Sequence, residues 1–282
     1  MKVKSTNIVL FVAIICLCQC KKDKEVPYPS ESIVKDNAQA AVYFHTVFRE
    51  AENAWALIDS VHYEEGVYKD PANTITMYKE LKYTESTKTV VIDYNAWKTN
   101  NLLLIGRIII DFGKDSYRRN AMPATVKLSD FSINGQDVVG ESTITFTGNS
   151  EKDLYAYSLI DGTAIRERGV SMPVLISGTI SKGQYERIEG RETFSQEDDV
   201  WAYQGVMKGQ LHNDPNLNYT NTVLATSMYT VNGESRNGKI HYCMDCKTAR
   251  QGMSQIKISG RSDITFAYDC SGYDFLTVTH VD

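Results

Sequence analysis

The order of apolar and polar residues divides this chain into a helical segment and a long β segment. Just before the helical segment, Asp36 is followed three positions later by Gln39, as in a capping box. Residues spaced three or four apart then place the apolar side chains on one helical face. They are Ala38, Ala41, Phe44, Phe48, Ala51, Trp55, Ile58 and Val61. The pattern predicts one amphipathic helix within residues 35–62.

This helix has two candidate surfaces to pack on, the β segment or a membrane. A membrane-surface helix usually carries a basic polar face. Glu50, Glu52 and Asp59 make the polar face of this one acidic. We therefore expect the helix to pack on the β segment.

From residue 74 onward the apolar residues alternate with polar ones, beginning with TITMYKELKY (74–83), and such alternation indicates half-buried strands. Four dipeptides favour tight hairpins because they tolerate positive φ. They are Asn134-Gly135, Asp161-Gly162, Asn232-Gly233 and Asn237-Gly238. No helix-length apolar pattern separates the strands, which excludes parallel βαβ units. Residues 63–282 are thus predicted to be mostly β: an antiparallel, hairpin-built sandwich or elongated sheet, with one N-terminal α-helix.

The alternation slips by one residue in VKLSDFSI (126–133). Val126 and Leu128 share one face, whereas Phe131 and Ile133 continue one residue out of step. One extra residue in this strand would return all four side chains to the same face. The slip therefore predicts a β-bulge near Ser129-Asp130.

The N-terminus has the layout of a secretory signal, with two lysines followed by ten apolar residues at positions 8–17. Ten helical residues span only ~15 Å, half of a bilayer core of ~30 Å, so a permanent membrane span is not expected. Residues 1–19 are predicted to be a signal peptide, and residues 20–34 a flexible tether. Without the signal peptide, which holds two lysines and no acid, the formal net charge changes from −5 to −7. Such an acidic chain is not expected to bind nucleic acid.

Leu17-Cys18-Gln19-Cys20 resembles the lipobox of bacterial lipoproteins, in which the last cysteine is acylated. Gln19 stands where a small residue is usual, which leaves Cys18 as the alternative position. The charged residues 21–25 resemble those that follow the lipidated cysteine in Bacteroidetes lipoproteins. The resemblance implies that Cys20 is lipidated and that the protein is exported, anchored to the outer membrane, and displayed at the cell surface.

Weaker motifs extend the resemblance along the mature chain. They are GRIIIDFG (106–113), VKLSDFSINGQDVVGESTITFTG (126–148), DDVWAYQGVMKGQL (198–211) and SQIKISGRSDITFAYDCSG (254–272). Together with the acidic helix they resemble a group of uncharacterised Bacteroidetes envelope lipoproteins. In that group β-hairpins follow one another, and cysteines flank the penultimate hairpin. The resemblance implies a mostly β fold and an envelope location, and no activity.

The cysteines that follow Cys20 are Cys243, Cys246 and Cys270. With His241 they could form a four-ligand zinc set, because C-x₂-C is a common half-site. An oxidising compartment favours a disulfide instead. The resemblance favours it too, with Cys270 bonded to Cys243, or alternatively to Cys246.

Either arrangement requires residues 254–268 to turn back on themselves, because one straight strand would hold its two ends too far apart. A five-residue loop, 259–263, would pair Ile258 with Ile264 and Ile256 with Phe266, which keeps one face apolar. Cys270 would then lie opposite Gly252.

We find no phosphate-binding loop, nucleophile elbow or H-E-x-x-H motif in the sequence, and we expect no cofactor. Tyrosine is abundant at 17 residues, and Trp97 and Trp201 lie in the β segment. Aromatic side chains on an exposed sheet face could bind a glycan or a protein partner, whereas ordinary sheet packing would bury them. The function expected is non-catalytic binding or scaffolding by an envelope lipoprotein. The alternatives are a hydrolase-type enzyme whose site is assembled by the fold, or a structural component of a surface assembly.

Overall fold

A computed structural model describes residues 30–59, 66–99, 102–113, 122–147, 154–159, 164–167, 170–183, 200–211, 214–224, 227–231, 234–237, 240–242, 251–258, 260 and 263–269. They form one helix, α1 (Ser30–Asp59), and seventeen strands. The strands are β1 (Gly66–Lys69), β2 (Tyr78–Thr84), β3 (Thr89–Thr99), β4 (Leu102–Asp111), β5 (Pro123–Ile133), β6 (Gln136–Val139), β7 (Glu141–Phe146), β8 (Leu154–Leu159), β9 (Ala164–Glu167), β10 (Val170–Gly183), β11 (Val200–Leu211), β12 (Asp214–Val223), β13 (Met228–Val231), β14 (Glu234–Asn237), β15 (Ile240–Tyr242), β16 (Gln251–Ile258) and β17 (Ile264–Asp269).

Fifteen of these strands form one sheet, and β13 and β14 form a separate hairpin. The strands β1 to β6 and β9 to β12 are neighbours in chain order, whereas β6 pairs with β9, β12 pairs with β16, and β15 comes after β16. The strands β6 and β7 both pair with β5, the strands β8 and β9 both pair with β10, and β12 and β15 both pair with β11 and β16. In each of these three cases the two strands lie end to end along the same neighbouring strand, so together they occupy one position in the strand order.

The predicted fold class is confirmed: the described residues are mostly β, their strands are antiparallel, and they include one helix. Successive strands can pair in this way because short turns join antiparallel neighbours. At one of the predicted hairpins, Asn134 and Gly135 have φ of 53° and 79° and join β5 to β6. Positive φ at both positions is typical of a type I′ turn, as their sequence predicts.

The helix α1 begins earlier than its sequence pattern predicts, inside the segment assigned to the tether. Val34 is fully buried and lies four residues before Ala38, so it extends the apolar face by one turn. The helix is also buried on every side, since all side chains at positions 41–52 are buried. Glu50 and Glu52, expected on an exposed acidic face, are among them. The described helix contains no stretch long and apolar enough to cross a membrane.

The sheet curves around this helix. Asn37 contacts β11 and β12, whereas Glu50 contacts β2 and β3. In a flat sheet the seven steps from β12 to β3 would cover ~34 Å, at ~4.8 Å per strand. The thirteen residues from Asn37 to Glu50 cover only ~20 Å of helix. Curvature of the sheet brings these distant strands to one short stretch of α1.

A bend centred on Gly106 of β4 contributes to this curvature. Gly106 has a φ of 99°, and both neighbouring strands carry an extra residue at its level. The extra residues include Ala96 in β3, with φ of 50°, and Asp130 in β5, with φ of 48°. Bulges increase the local twist and bend of a strand. The β-bulge predicted near Ser129-Asp130 is thereby confirmed.

Two details of the predicted strands are wrong. Strand β2 begins at Tyr78, and Ile75 is 99% exposed in the preceding loop. Side chains in that loop hold a turn instead of a strand. The Thr74 Oγ1, for example, accepts a hydrogen bond from the Met77 backbone N–H.

The predicted register between β16 and β17 is also wrong. Ile256 pairs with Ile264, and Gly252 pairs with Tyr268 instead of Cys270. The last observed pair, Ile256 with Ile264, encloses residues 257–263, in which Gly260 has a φ of 75°. The observed register still buries Ile256 and Ile264 together. Moving each partner by two residues leaves every side chain on its original face, so the hydrophobic pattern fits both registers.

Candidate functional site

The site residues predicted from the sequence lie largely outside the described residues. This holds for Cys20, Cys243, Cys246 and Cys270. His241 lies in β15, where its backbone pairs with Ala202 and Gln251. Lipidation of Cys20, the disulfide and the alternative zinc set therefore stay predictions. Among the residues that the structure describes, no group of His, Cys, Asp and Glu side chains could hold a metal ion.

Most aromatic side chains that the structure describes pack in the core. The buried ones are Tyr43, Phe44, Phe48, Trp55, Tyr83, Tyr94, Phe112, Phe131, Phe146, Tyr203, Tyr219 and Phe266. Tyr68, Tyr78 and Trp97 are half-buried. The side chain of Trp201 is not among those that the structure describes. In this part of the chain the tyrosines thus serve sheet packing, and they do not form an exposed aromatic face.

A cavity of about 270 Å³ lies between the C-terminal half of α1 and the strands β1 to β3. Helix, loop and sheet all contribute to its lining. The lining residues are Glu50, Asn53, Ala54, Leu57, Tyr68, Lys69, Asp70, Pro71, Lys79, Leu81 and Ile92. The cavity combines apolar walls with a few charged groups, which is typical of ligand sites.

Glu50 and Lys79 form a buried ion pair in the lining of this cavity. The Lys79 Nζ lies 2.7 Å from the Glu50 Oε2, and their side chains are 23% and 4% exposed, respectively. The Tyr94 hydroxyl donates a hydrogen bond of 2.6 Å to the same oxygen. The Lys79 Nζ also lies 5.8 Å from the centre of the Tyr94 ring. Both described contacts of the carboxylate therefore use Oε2.

The surroundings keep Glu50 ionised and Tyr94 protonated. Burial by itself would raise the pKa of the Glu50 carboxyl, but the charges of Lys79 and Arg49 and the hydrogen bonds from Lys79 and Tyr94 together lower it. Burial, followed by the negative charge of Glu50, raises the pKa of the Tyr94 hydroxyl well above its ordinary value. A low pKa holds the carboxylate as a permanent charge, whereas a general base works best with a pKa near the operating pH.

Three further polar contacts join the helix to distant strands. The Asn221 Nδ2 of β12 donates a hydrogen bond of 2.6 Å to the Asn37 Oδ1, and the Asn37 Nδ2 lies 3.1 Å from the Met207 Sδ. Farther along, the Tyr43 hydroxyl donates to the Gln136 Oε1 at 2.8 Å. Buried polar groups need such partners, so these contacts restrict how the helix can sit against the sheet.

His45 is a buried titratable group on the same helix. Its ring stacks on Phe48 at a centroid distance of 6.1 Å. Burial and, second, the positive charge of Arg49 lower the pKa of His45 well below 6.5. The imidazole is therefore neutral in the folded protein at neutral pH.

We expect His45 to make the protein less stable in mild acid. The unfolded chain binds a proton at His45 near pH 6.5 while the folded chain does not, so the stabilisation present above that pH is lost as the pH falls. The slope from this one group reaches at most about 1.4 kcal/mol per pH unit. Urea unfolding of the wild type and of His45→Gln between pH 7.5 and 5 measures the slope. Equal slopes in the two proteins would contradict the prediction.

Sequence reasoning missed the Glu50 cluster. It assigned Glu50 to an acidic exposed face, because the helix pattern by itself does not reveal what covers that face. Lys79 and Tyr94 lie 29 and 44 residues farther along the chain and in different strands. The sequence signal that could have drawn attention was the run of polar residues at positions 45, 46, 49, 50 and 52 on several sides of one helix.

Comparison of the chain with known proteins finds no matching family model, no matching curated protein and no matching solved structure.

Proposed function

We propose that this protein is an exported lipoprotein, anchored to the outer membrane through Cys20, that binds or scaffolds another molecule at the cell surface without catalysing a reaction. The observation that carries the proposal is the sequence of residues 8–25, where an apolar run ends in a lipobox-like cysteine followed by charged residues. The proposed arrangement is a lipid, a short tether and a β body that starts with the helix.

The cavity beside α1 supports a binding role more than a catalytic one. Its buried carboxylate, Glu50, is held by Lys79 and Tyr94 and has a lowered pKa, so it is suited to holding a charge and not to exchanging protons. The neighbouring Tyr94 has a raised pKa and stays a hydrogen-bond donor. Fixed charges and fixed donors in a small cavity fit recognition of a ligand.

The lipid anchor is tested by mass spectrometry of the mature N-terminal peptide. We expect the protein to begin at Cys20 and to carry a mass increase from acylation, because the charged residues start directly after this cysteine. Cys20→Ser should release the protein from the membrane fraction, whereas Cys16→Ser should leave it there. An unmodified N-terminus, or one that begins at Cys18, would contradict the assignment.

The binding role is tested by a pull-down from the native envelope together with a glycan-array screen. A glycan hit supports binding. A screen without a glycan hit, combined with one stoichiometric protein partner, would favour a structural component of a surface assembly. Turnover of a captured molecule would overturn the non-catalytic part of the proposal.

A further inference from the structure

The cavity beside α1 presents a negative and a positive group side by side. The described contacts of Glu50 use Oε2, and the described residues donate no hydrogen bond to Oε1. The side chain is 4% exposed and lines the cavity. Lys79 also lines the cavity, and its ammonium group has three donors, of which the Glu50 carboxylate uses one. A carboxylate oxygen and ammonium hydrogens are thus available to the same ligand.

Apolar side chains form the walls next to this charged end. Leu81 and Ile92 are buried side chains of the sheet. Ala54 and Leu57 belong to the helix, and Leu57 is 41% exposed, which places it towards solvent. The volume of about 270 Å³ equals that of about nine water molecules. A ligand that fills it is therefore small and carries an apolar group.

We propose that this cavity binds a small zwitterion, namely a free α-amino acid with an apolar side chain. Its ammonium group donates to the Glu50 Oε1, its carboxylate accepts from the Lys79 Nζ, and its side chain packs against Leu81 and Ile92. The proposal rests on the binding role proposed above and does not depend on the lipid anchor.

Charge balance favours a zwitterion over a ligand with one charge. The four charged residues that line the cavity are Glu50, Lys69, Asp70 and Lys79, and their formal charges sum to zero. A ligand with a single charge would enter a site of no net charge and would lose its own hydration without full compensation. An amino acid brings one charge of each sign and can satisfy both groups at once.

Isothermal titration calorimetry of the full mature protein in detergent tests the proposal, with L-leucine as the probe. We expect saturable binding of leucine. Two analogues each lack one charged group: 3-methylbutylamine lacks the carboxylate, and 4-methylpentanoate lacks the amine. Each should bind at least about tenfold more weakly, because one buried group of the protein stays unsatisfied.

Matched variants locate the binding. Leu57→Trp should fill the cavity from its helix side and abolish leucine binding. Val67→Trp changes a 54% exposed side chain that does not line the cavity, and it should bind leucine normally. In a second pair, Lys79→Met should lose binding and Lys82→Met, which changes an exposed lysine of β2 that does not line the cavity, should retain it. Circular dichroism checks that each variant is folded, and the tryptophan pair decides the question where Lys79→Met fails to fold.

The proposal is overturned if leucine does not bind the wild type at millimolar concentration. It is also overturned if either analogue binds as tightly as leucine, or if Leu57→Trp leaves binding unchanged. These results are independent of the lipid on Cys20 and of the pull-down. Failure of the amino-acid site can therefore be told apart from failure of the proposed function.

Discussion

Replacing Lys79 with methionine is expected to lower the free energy of unfolding by about 3–5 kcal/mol at neutral pH. The substitution keeps most of the side-chain length and removes the charge 2.7 Å from the Glu50 Oε2. The ionised carboxylate would remain buried with the Tyr94 hydroxyl as its described hydrogen-bond donor. Losing one partner of a buried ion pair costs more than the pair contributes, because the remaining charge is left without compensation. Urea unfolding at pH 7 measures the loss.

The matched control is Lys69→Met, which removes the cation of an ion pair between the neighbouring strands β1 and β2. The Lys69 and Glu80 side chains are 65% and 33% exposed, so water and salt screen this pair. We expect a change of at most about 1 kcal/mol. If the two variants lost equal amounts of unfolding free energy, burial of the Glu50–Lys79 pair would not determine its contribution to stability.

Acid pH gives a second test of the Lys79→Met variant. In the wild type the folded-state pKa of Glu50 is lowered, so its stabilisation is present above pH 4.5 and is lost as the pH falls through the folded pKa. Without Lys79 this pKa rises from its wild-type position, because only Arg49 and Tyr94 then oppose the effect of burial, and protonation relieves the buried charge at a higher pH. The difference in stability between wild type and variant should therefore be smaller at pH 4 than at pH 7.

The substitution Gly106→Ala is expected to destabilise the protein by about 3–5 kcal/mol, through strain and overpacking together. A Cβ at this position would lie 2.0 Å from the backbone oxygen of Asp130 and 2.7 Å from the Cα of Phe131. These are backbone atoms of the bulged strand β5, which cannot move away as the end of a side chain can. The φ of 99° adds strain for any residue with a Cβ. Thermal and urea unfolding measure the effect.

Gly135→Ala separates the two causes. Gly135 also has positive φ, 79°, but a Cβ there would have no atom within 4 Å. This variant should lose only about 1 kcal/mol, from backbone strain alone. The prediction would be contradicted if Gly106→Ala lowered the free energy of unfolding no more than Gly135→Ala does. Close packing against Asp130 would then add nothing to the cost of backbone strain.

Features that depend on neighbours in the chain were predictable from the sequence. The phase slip between Leu128 and Phe131 located the bulge in β5, because one face of that strand is buried and each apolar side chain has to reach it. The turn at Asn134-Gly135 followed from the tolerance of these two residues for positive φ. The antiparallel β class followed from alternation without intervening helical patterns.

The register of β16 and β17 was not predictable by the same reasoning. Pairing Ile256 with Ile264 or with Phe266 keeps all three side chains on the same face, so the apolar pattern does not distinguish the two alternatives. The structure pairs Ile256 with Ile264, a choice that the apolar pattern leaves open.

By itself, the sequence determined the mostly β class, the single helix, the bulge in β5 and the type I′ turn, because each depends on residues close together in the chain. The surroundings of the helix were decided by the tertiary structure. The helix pattern placed Glu50 on the polar face of the helix, but the sheet curves around α1 and covers this side chain with Lys79 and Tyr94. Asn37 likewise accepts a hydrogen bond from Asn221, which lies 184 residues farther along the chain. The curvature of the sheet results from small twists and bulges that add up over many strands, so no short stretch of the sequence predicts it.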